Sequence, residues 1–185
     1  RAEQEQAVSQ TFDYFMSHEK GEFLWNAKPR FGKTLATYDL CKRLQSTKGD
    51  YACNILIVTN RPAIANSWYE DFVKFIGTES GFRFVSEVSA LKGKPFVMSR
   101  EEYTDSLTKE LADCIEFVSL QDLKGSLYFG GQHDKLKELV NMQWELLVID
   151  EAHEGIDTSK TDVAFHQIKR NHTLHLSGTP FKALA

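Results

Sequence analysis

The chain has 185 residues, 42% of them hydrophobic and 26% charged, with a formal net charge of -4. That composition fits one soluble globular domain with a substantial core, and the acidic balance argues against gripping nucleic acid through bulk positive charge. No apolar run approaches the ~20 residues that cross a bilayer, and Arg1 to Gln10 is too polar for a secretory signal, so the expectation is a cytoplasmic protein without a membrane partner. Three dispersed cysteines, Cys41, Cys53 and Cys114, form no Cys-x-x-Cys pair and read as reduced core thiols. The six histidines show no His-x-x-x-His spacing, which speaks against zinc.

In chain order the pattern alternates strand and helix, the signature of an α/β domain whose parallel sheet carries helices on both faces. A first helix is predicted over Gln4–Ser17 and a first strand over Phe23–Ala27. The following Ala27-Lys28-Pro29-Arg30-Phe31-Gly32-Lys33-Thr34 resembles a phosphate-binding loop, with Ala27 where the first glycine normally stands. Such a loop aims backbone N–H groups at phosphate oxygens from a helix N-terminus. The helix it opens is predicted over Lys33–Leu44, with Leu35 in its first turn. Next come the strand Asn54–Thr59, the helix Pro62–Phe75, the strand Arg83–Ser86, the helix Arg100–Asp113 and the strand Ile115–Ser119. The chain finishes with the helix Lys135–Met142, the strand Leu146–Ile149, the helix Asp162–Arg170 and the strand Thr173–Leu176. Asn54–Thr59 and Glu145–Ile149 are near-continuous apolar runs, as in strands buried on both faces. Residues 77–143 are the least legible; within them Gly125–Gly131 is expected to be a connection rather than a lid.

Ligands of open parallel sheets bind beyond the carboxyl ends of the strands. The loop follows one strand, Asp150-Glu151-Ala152-His153 ends another, and Ser177-Gly178-Thr179-Pro180 ends a third, so all three are expected on one edge. Adjacent carboxylates behind a fully apolar strand, paired with a phosphate loop, point to a metal ligand and a water-activating base.

These motifs together resemble the first RecA-like motor domain of superfamily 2 helicases and translocases, and most of all the helicase-like ATPase part of type III restriction-modification enzymes, the res subunit group. The resemblance runs over residues 1–185 and implies one RecA-like domain whose partner, a second RecA-like domain supplying arginine fingers, lies outside this chain. It implies ATP and Mg²⁺ as cofactors. Gln4 is then the residue that reads adenine, with Gln6 as a substitute; Arg30, Gly32, Lys33, Thr34 and Leu35 bind the nucleotide, and Lys33 reaches the β- and γ-phosphates. Thr34 and Asp150 hold Mg²⁺, and Glu151 deprotonates the attacking water. His153, Ser177 and Thr179 couple the nucleotide to the nucleic-acid surface. Asn60 and Arg61, in Thr59-Asn60-Arg61-Pro62, and Ser119 and Gln121, in Ser119-Leu120-Gln121, contact the nucleic-acid backbone. The loop departs from the family pattern at Pro29-Arg30-Phe31, which leaves it a single glycine. The implied function is the ATP-hydrolysing motor of a DNA-dependent helicase or translocase acting on double-stranded DNA, with nuclease or methyltransferase parts elsewhere. The alternatives are an RNA helicase fragment and a nucleotide-sensing module without turnover; Glu151 speaks against the second, since a sensor needs no water-activating carboxylate.

Overall fold

The two near-continuous apolar runs lie side by side in the middle of a seven-stranded sheet whose order is β1-β7-β6-β2-β5-β3-β4. The computed structural model describes residues 2–26, 32–60, 64–107, 112–150 and 164–177. The strands are β1 (Glu22–Asn26), β2 (Asn54–Thr59), β3 (Phe82–Ser86), β4 (Val97–Met98), β5 (Asp113–Ser119), β6 (Trp144–Asp150) and β7 (Arg170–Ser177). Every pairing is parallel. The helices are α1 (Ala2–Ser17), α2 (Lys33–Thr47), α3 (Ala65–Asp71), α4 (Arg100–Leu107), α5 (Leu120–Gly125) and α6 (Lys137–Asn141). The expected α/β architecture is therefore present, and among the described residues no helix is long and apolar enough to cross a membrane.

The period of two along the central strands sorts the core into two layers. Ile55 and Ile57, Phe117, and Leu146 and Val148 face α1, α2 and α3, where they meet Val8, Phe15, Leu40, Leu44, Trp68 and Phe72. Leu56 and Val58, Val118, and Leu147 and Ile149 face the other way, against Tyr103, Leu123, Leu139 and Phe165. Strands that feed both layers have no polar side to spare, which is why their sequences read as unbroken apolar runs. The three cysteines are buried and free. Burial pushes all three thiols up, Cys53 to about 12, so they stay protonated and inert.

Several boundaries differ from the sequence expectation. The helix expected over Arg100–Asp113 is described only as far as Leu107, and Asp113 opens β5. Asp113 belongs there because its carboxylate accepts from Gln45, Lys48 and the Cys53 N–H, partners remote in sequence. The helix after β2, expected as far as Phe75, runs one residue past it, but as a π-turn over Phe72–Ile76 that stops at Gly77, whose φ of 66° suits glycine. Arg170 begins β7 instead of ending a helix, and its guanidinium reaches back to Phe165 and Ile168 carbonyls. Two short elements escaped the pattern, the edge strand β4 and the helix α5. The Gly125–Gly131 segment folds around the fully buried Ser126, whose carbonyl accepts from Phe129 and Gly131.

Candidate nucleotide site

Five neighbouring strands end in register along one edge. Asn26 of β1 stands opposite Ser177 of β7, and Leu176 stands opposite Asp150 of β6. Asp150 in turn faces Thr59 of β2, and Thr59 faces Ser119 of β5. Each of these ends carries a motif singled out in the sequence, so the topology gathers them into a single row. The join between β2 and β6 is reinforced past the last register pair, where the Asn60 N–H and the Thr59 hydroxyl reach the Asp150 carbonyl at 3.5 and 3.4 Å.

The loop residue that the structure describes, Gly32, is the N-cap of α2 and has φ 77° and ψ 47°. This left-handed geometry strains any residue with a Cβ. A Cβ on Gly32 would also lie 2.3 Å from the Gln4 side-chain nitrogen, the end of a flexible side chain that would have to swing aside. Gly32 therefore turns the chain into α2, with the Gln4 amide close against it. That approach brings Gln4, the residue expected to read adenine, to the phosphate loop, whereas Gln6 is exposed. Leu35, in the first turn of α2, is partly exposed. Lys28 to Phe31, Arg30 included, lie outside the described residues.

Lys33 and Asp150 form an ion pair at 2.9 Å, with the aspartate side chain fully buried and the lysine a quarter exposed. The other carboxylate oxygen of Asp150 accepts from the Trp68 indole N–H at 3.1 Å. Thr34, one residue beyond Lys33, donates its hydroxyl hydrogen bond to Asp71. Both Trp68 and Asp71 belong to α3, and α3 is locked to α2 by the Tyr38 hydroxyl, which donates to the Trp68 carbonyl at 2.6 Å. The Tyr38 and Trp68 rings also meet edge to face with centroids 5.4 Å apart. Burial holds the Tyr38 hydroxyl well above the usual phenol range, so it remains a neutral donor. The site thus has an inner set, Lys33, Thr34 and Asp150, and an outer pair, Trp68 and Asp71, that sequence reasoning missed. A signal for Trp68 existed: a tryptophan in the middle of a core-facing helix must find an acceptor for its N–H.

Thr34 and Asp150 offer a hydroxyl and a carboxylate, hard oxygen donors of the kind Mg²⁺ takes together with phosphates and water. Beside them stands Lys33, paired with Asp150. Glu151, His153, Arg61 and Thr179 lie outside the described residues. Ser177 is buried at the end of β7. Ser119 is also buried, and its hydroxyl caps α5 by accepting from the Asp122 N–H at 3.1 Å. Gln121, two residues on, is exposed on the same edge, and Asn60 is partly exposed.

A model of the family described as type III restriction enzyme, res subunit, matches residues 1–182. A Mycoplasma pneumoniae protein, named as the C-terminus of a type II restriction enzyme and methyltransferase, is 25% identical over 176 residues. That match takes in 92% of this chain but 22% of the relative, so the chain spans less than a quarter of that protein. Among solved structures, a nuclease-deletion mutant of the Type ISP restriction-modification enzyme LlaGI bound to a DNA substrate mimic superposes with a TM-score of 0.70 at 16% identity. It is covered over 100% of this chain and 18% of its own. The SWI2/SNF2 ATPase core of Sulfolobus solfataricus in complex with dsDNA gives 0.64 at 19% identity, over 97% of this chain and 32% of that one. The UvsW helicase of bacteriophage T4 gives 0.56 at 13% identity, over 90% and 50%. At these identities the structures speak for the fold alone, an α/β domain shared with these three proteins.

Proposed function

This chain belongs to the type III restriction enzyme res-subunit family, and from that premise we propose that it is the ATP-binding motor domain of a DNA-dependent helicase or translocase. The observation that carries the proposal is the pairing of Lys33 with the buried Asp150 on the edge where five motif-bearing strand ends meet in register. On this reading Lys33 leaves Asp150 for the β- and γ-phosphates, while the α2 N-terminus and the loop before it receive the phosphate oxygens. Gln4, already at Gly32, reads the adenine edge, and Arg30 adds a phosphate contact.

Thr34 and Asp150 would hold Mg²⁺, which when bound neutralises charge on the phosphates. Glu151 accepts a proton from water as that water attacks the γ-phosphorus. The bond from that phosphorus to its bridging oxygen breaks, leaving ADP and inorganic phosphate. His153 links this chemistry to Ser177 and Thr179. Asn60, Arg61 and Gln121 contact the nucleic-acid backbone, with Ser119 shaping the turn that presents Gln121. A second RecA-like domain closes the cleft and supplies arginine, and nuclease or methyltransferase parts complete a cytoplasmic restriction-modification enzyme acting on double-stranded DNA.

The test is ATP hydrolysis by the intact protein with duplex DNA, single-stranded DNA or RNA as stimulant, for wild type and Glu151→Gln. The expected result is stimulation by duplex DNA and, in the variant, retained ATP binding with turnover down by ~10²-fold or more. Normal turnover by Glu151→Gln would move the base elsewhere, and stimulation by RNA alone would favour an RNA motor.

A further inference from the structure

Trp68 and Asp71 stand one turn apart on α3 and so present to the same side. Each takes hold of a different member of the inner set: Trp68 of Asp150, Asp71 of Thr34. These are the two groups that the proposed function assigns to Mg²⁺. We propose that α3 supplies the outer layer of the Mg²⁺ site, with Trp68 orienting the Asp150 carboxylate and Asp71 orienting the Thr34 hydroxyl. The inference rests on the reading of Thr34 and Asp150 as the metal-holding pair and adds two positioning residues to it.

The chemistry of each contact gives it direction. A threonine hydroxyl has one proton and two lone pairs. Giving the proton to Asp71 leaves both lone pairs for a cation, and a hydroxyl that turned its proton inward would repel one. Asp150 has two oxygens; the indole N–H pins one, which fixes the plane of the carboxylate and therefore the position of the other, now against Lys33. The indole itself cannot swing. Trp68 is fully buried, packs against Tyr38, and has its carbonyl tied to the Tyr38 hydroxyl on α2. Thr34, Tyr38 and Lys33 all lie on α2, so α2 and α3 meet at the site as one braced unit. Partners of this kind, one bond removed from the metal, characteristically cost ~10–100-fold in metal affinity when lost.

A purely structural role for the same contacts makes a different forecast, and nucleotide binding with and without metal separates the two. ADP is titrated calorimetrically into the intact protein, once with saturating Mg²⁺ and once with a chelator, and the ratio of the two affinities is the Mg²⁺ enhancement. Metal-free ADP uses the loop and Lys33, so its affinity should fall less than the Mg²⁺-bound affinity in every variant. Asp71→Ala should cut the enhancement by about tenfold. Asp71→Asn should keep most of it, because the amide oxygen still accepts from Thr34. Trp68→Phe should cut it through Asp150, and Asp71, being only partly buried, gives an independent test where Trp68→Phe unfolds.

Unchanged enhancement in both Asp71→Ala and Trp68→Phe overturns the proposal, as does an equal loss of metal-free and Mg²⁺-bound affinity. A loss in Asp71→Asn as large as in Asp71→Ala also overturns it, since that pattern makes Asp71 itself the ligand. Failure of the underlying reading looks different: wild type would bind ADP no more tightly with Mg²⁺ than without, and the proposal would fall with it.

Discussion

Each end of α2 carries a lysine paired with a buried aspartate, and the two pairs stand at opposite edges of the sheet. At the helix C-terminus Lys48 meets Asp113, the first residue of β5, which also accepts from the Gln45 side chain and the Cys53 N–H. At the N-terminus Lys33 meets Asp150, the last residue of β6. Asp113 sits where strands begin and ties α2, β2 and β5 together with protein donors. Asp150 sits where strands end, the edge beyond which ligands of parallel sheets bind, and under the proposed function its lysine is the one a phosphate recruits. On that proposal, similar ion pairs in one molecule do different work because of the sheet edge on which they stand.

The largest expected effect breaks the structural pair. Asp113→Ala leaves the Cys53 N–H and the Gln45 amide without their buried acceptor and Lys48 without its anion. The expected loss is roughly 2–4 kcal/mol in chemical denaturation, short of a fully buried pair because Lys48 keeps contact with water. Affinity for Mg²⁺-ADP in the folded protein should not change. A loss below ~0.5 kcal/mol would remove the distinction drawn between the two pairs.

A third buried carboxylate sharpens the comparison, because it lacks a lysine and shares one arginine. Glu116 on β5 lies 2.7 Å from the Arg100 guanidinium, which also serves Glu87 and Glu138. Burial pushes the Glu116 carboxyl up to about 7 against the pull of Arg100. A raised carboxyl binds its proton more tightly in the folded state. Its contribution to stability is complete below the unfolded value of 4.5 and is lost as pH rises through about 7. This group should therefore lower stability by roughly 3 kcal/mol across that window, and Glu116→Gln should flatten the slope. Denaturation midpoints measured across that range check it, and an unchanged slope in the variant would assign the titration to another group.

Lys33→Ala tests the exchangeable pair. Loss of a charge-assisted contact to phosphate is worth ~1.5–3 kcal/mol, or roughly ten- to a hundredfold in nucleotide affinity. Equal affinity of wild type and variant by calorimetry would detach Lys33 from the nucleotide. The smallest effect is at Ser119, at the end of β5 opposite the Asp113 end. Ser119→Ala removes the α5 cap and should cost about 1 kcal/mol in stability. Gln121→Ala, on the exposed side of the same turn, should leave stability alone and weaken DNA binding. The reverse assignment of effects would make Ser119 the contact residue.

What could be read from the sequence follows the same divide. The ligand edge was legible because its parts are local: an apolar strand, then a motif, repeated at the ends of β1, β2, β5, β6 and β7. The α/β class followed from the same alternation, which the family match and the shared fold bear out. Asp113 was illegible because the contacts that make it a strand residue come from Gln45, Lys48 and Cys53, far away in the chain. α5 was missed because its six residues give too little periodicity, although Ser119 and Asp122 mark its start. Trp68 and Asp71 read as ordinary helix positions, since their partners Asp150 and Thr34 are brought to them only by the sheet order.

The central claim is that Asp150 holds the metal-nucleotide while Asp113 holds the fold, and thermal melting of the intact protein with and without Mg²⁺-ADP tests it most directly. A ligand at a hundred times its dissociation constant stabilises by ~2.7 kcal/mol. The account predicts the same upward shift in wild type and in Asp113→Asn, which starts from a lower melting point, and no shift in Asp150→Ala. A full shift in Asp150→Ala, or none in wild type, would contradict it.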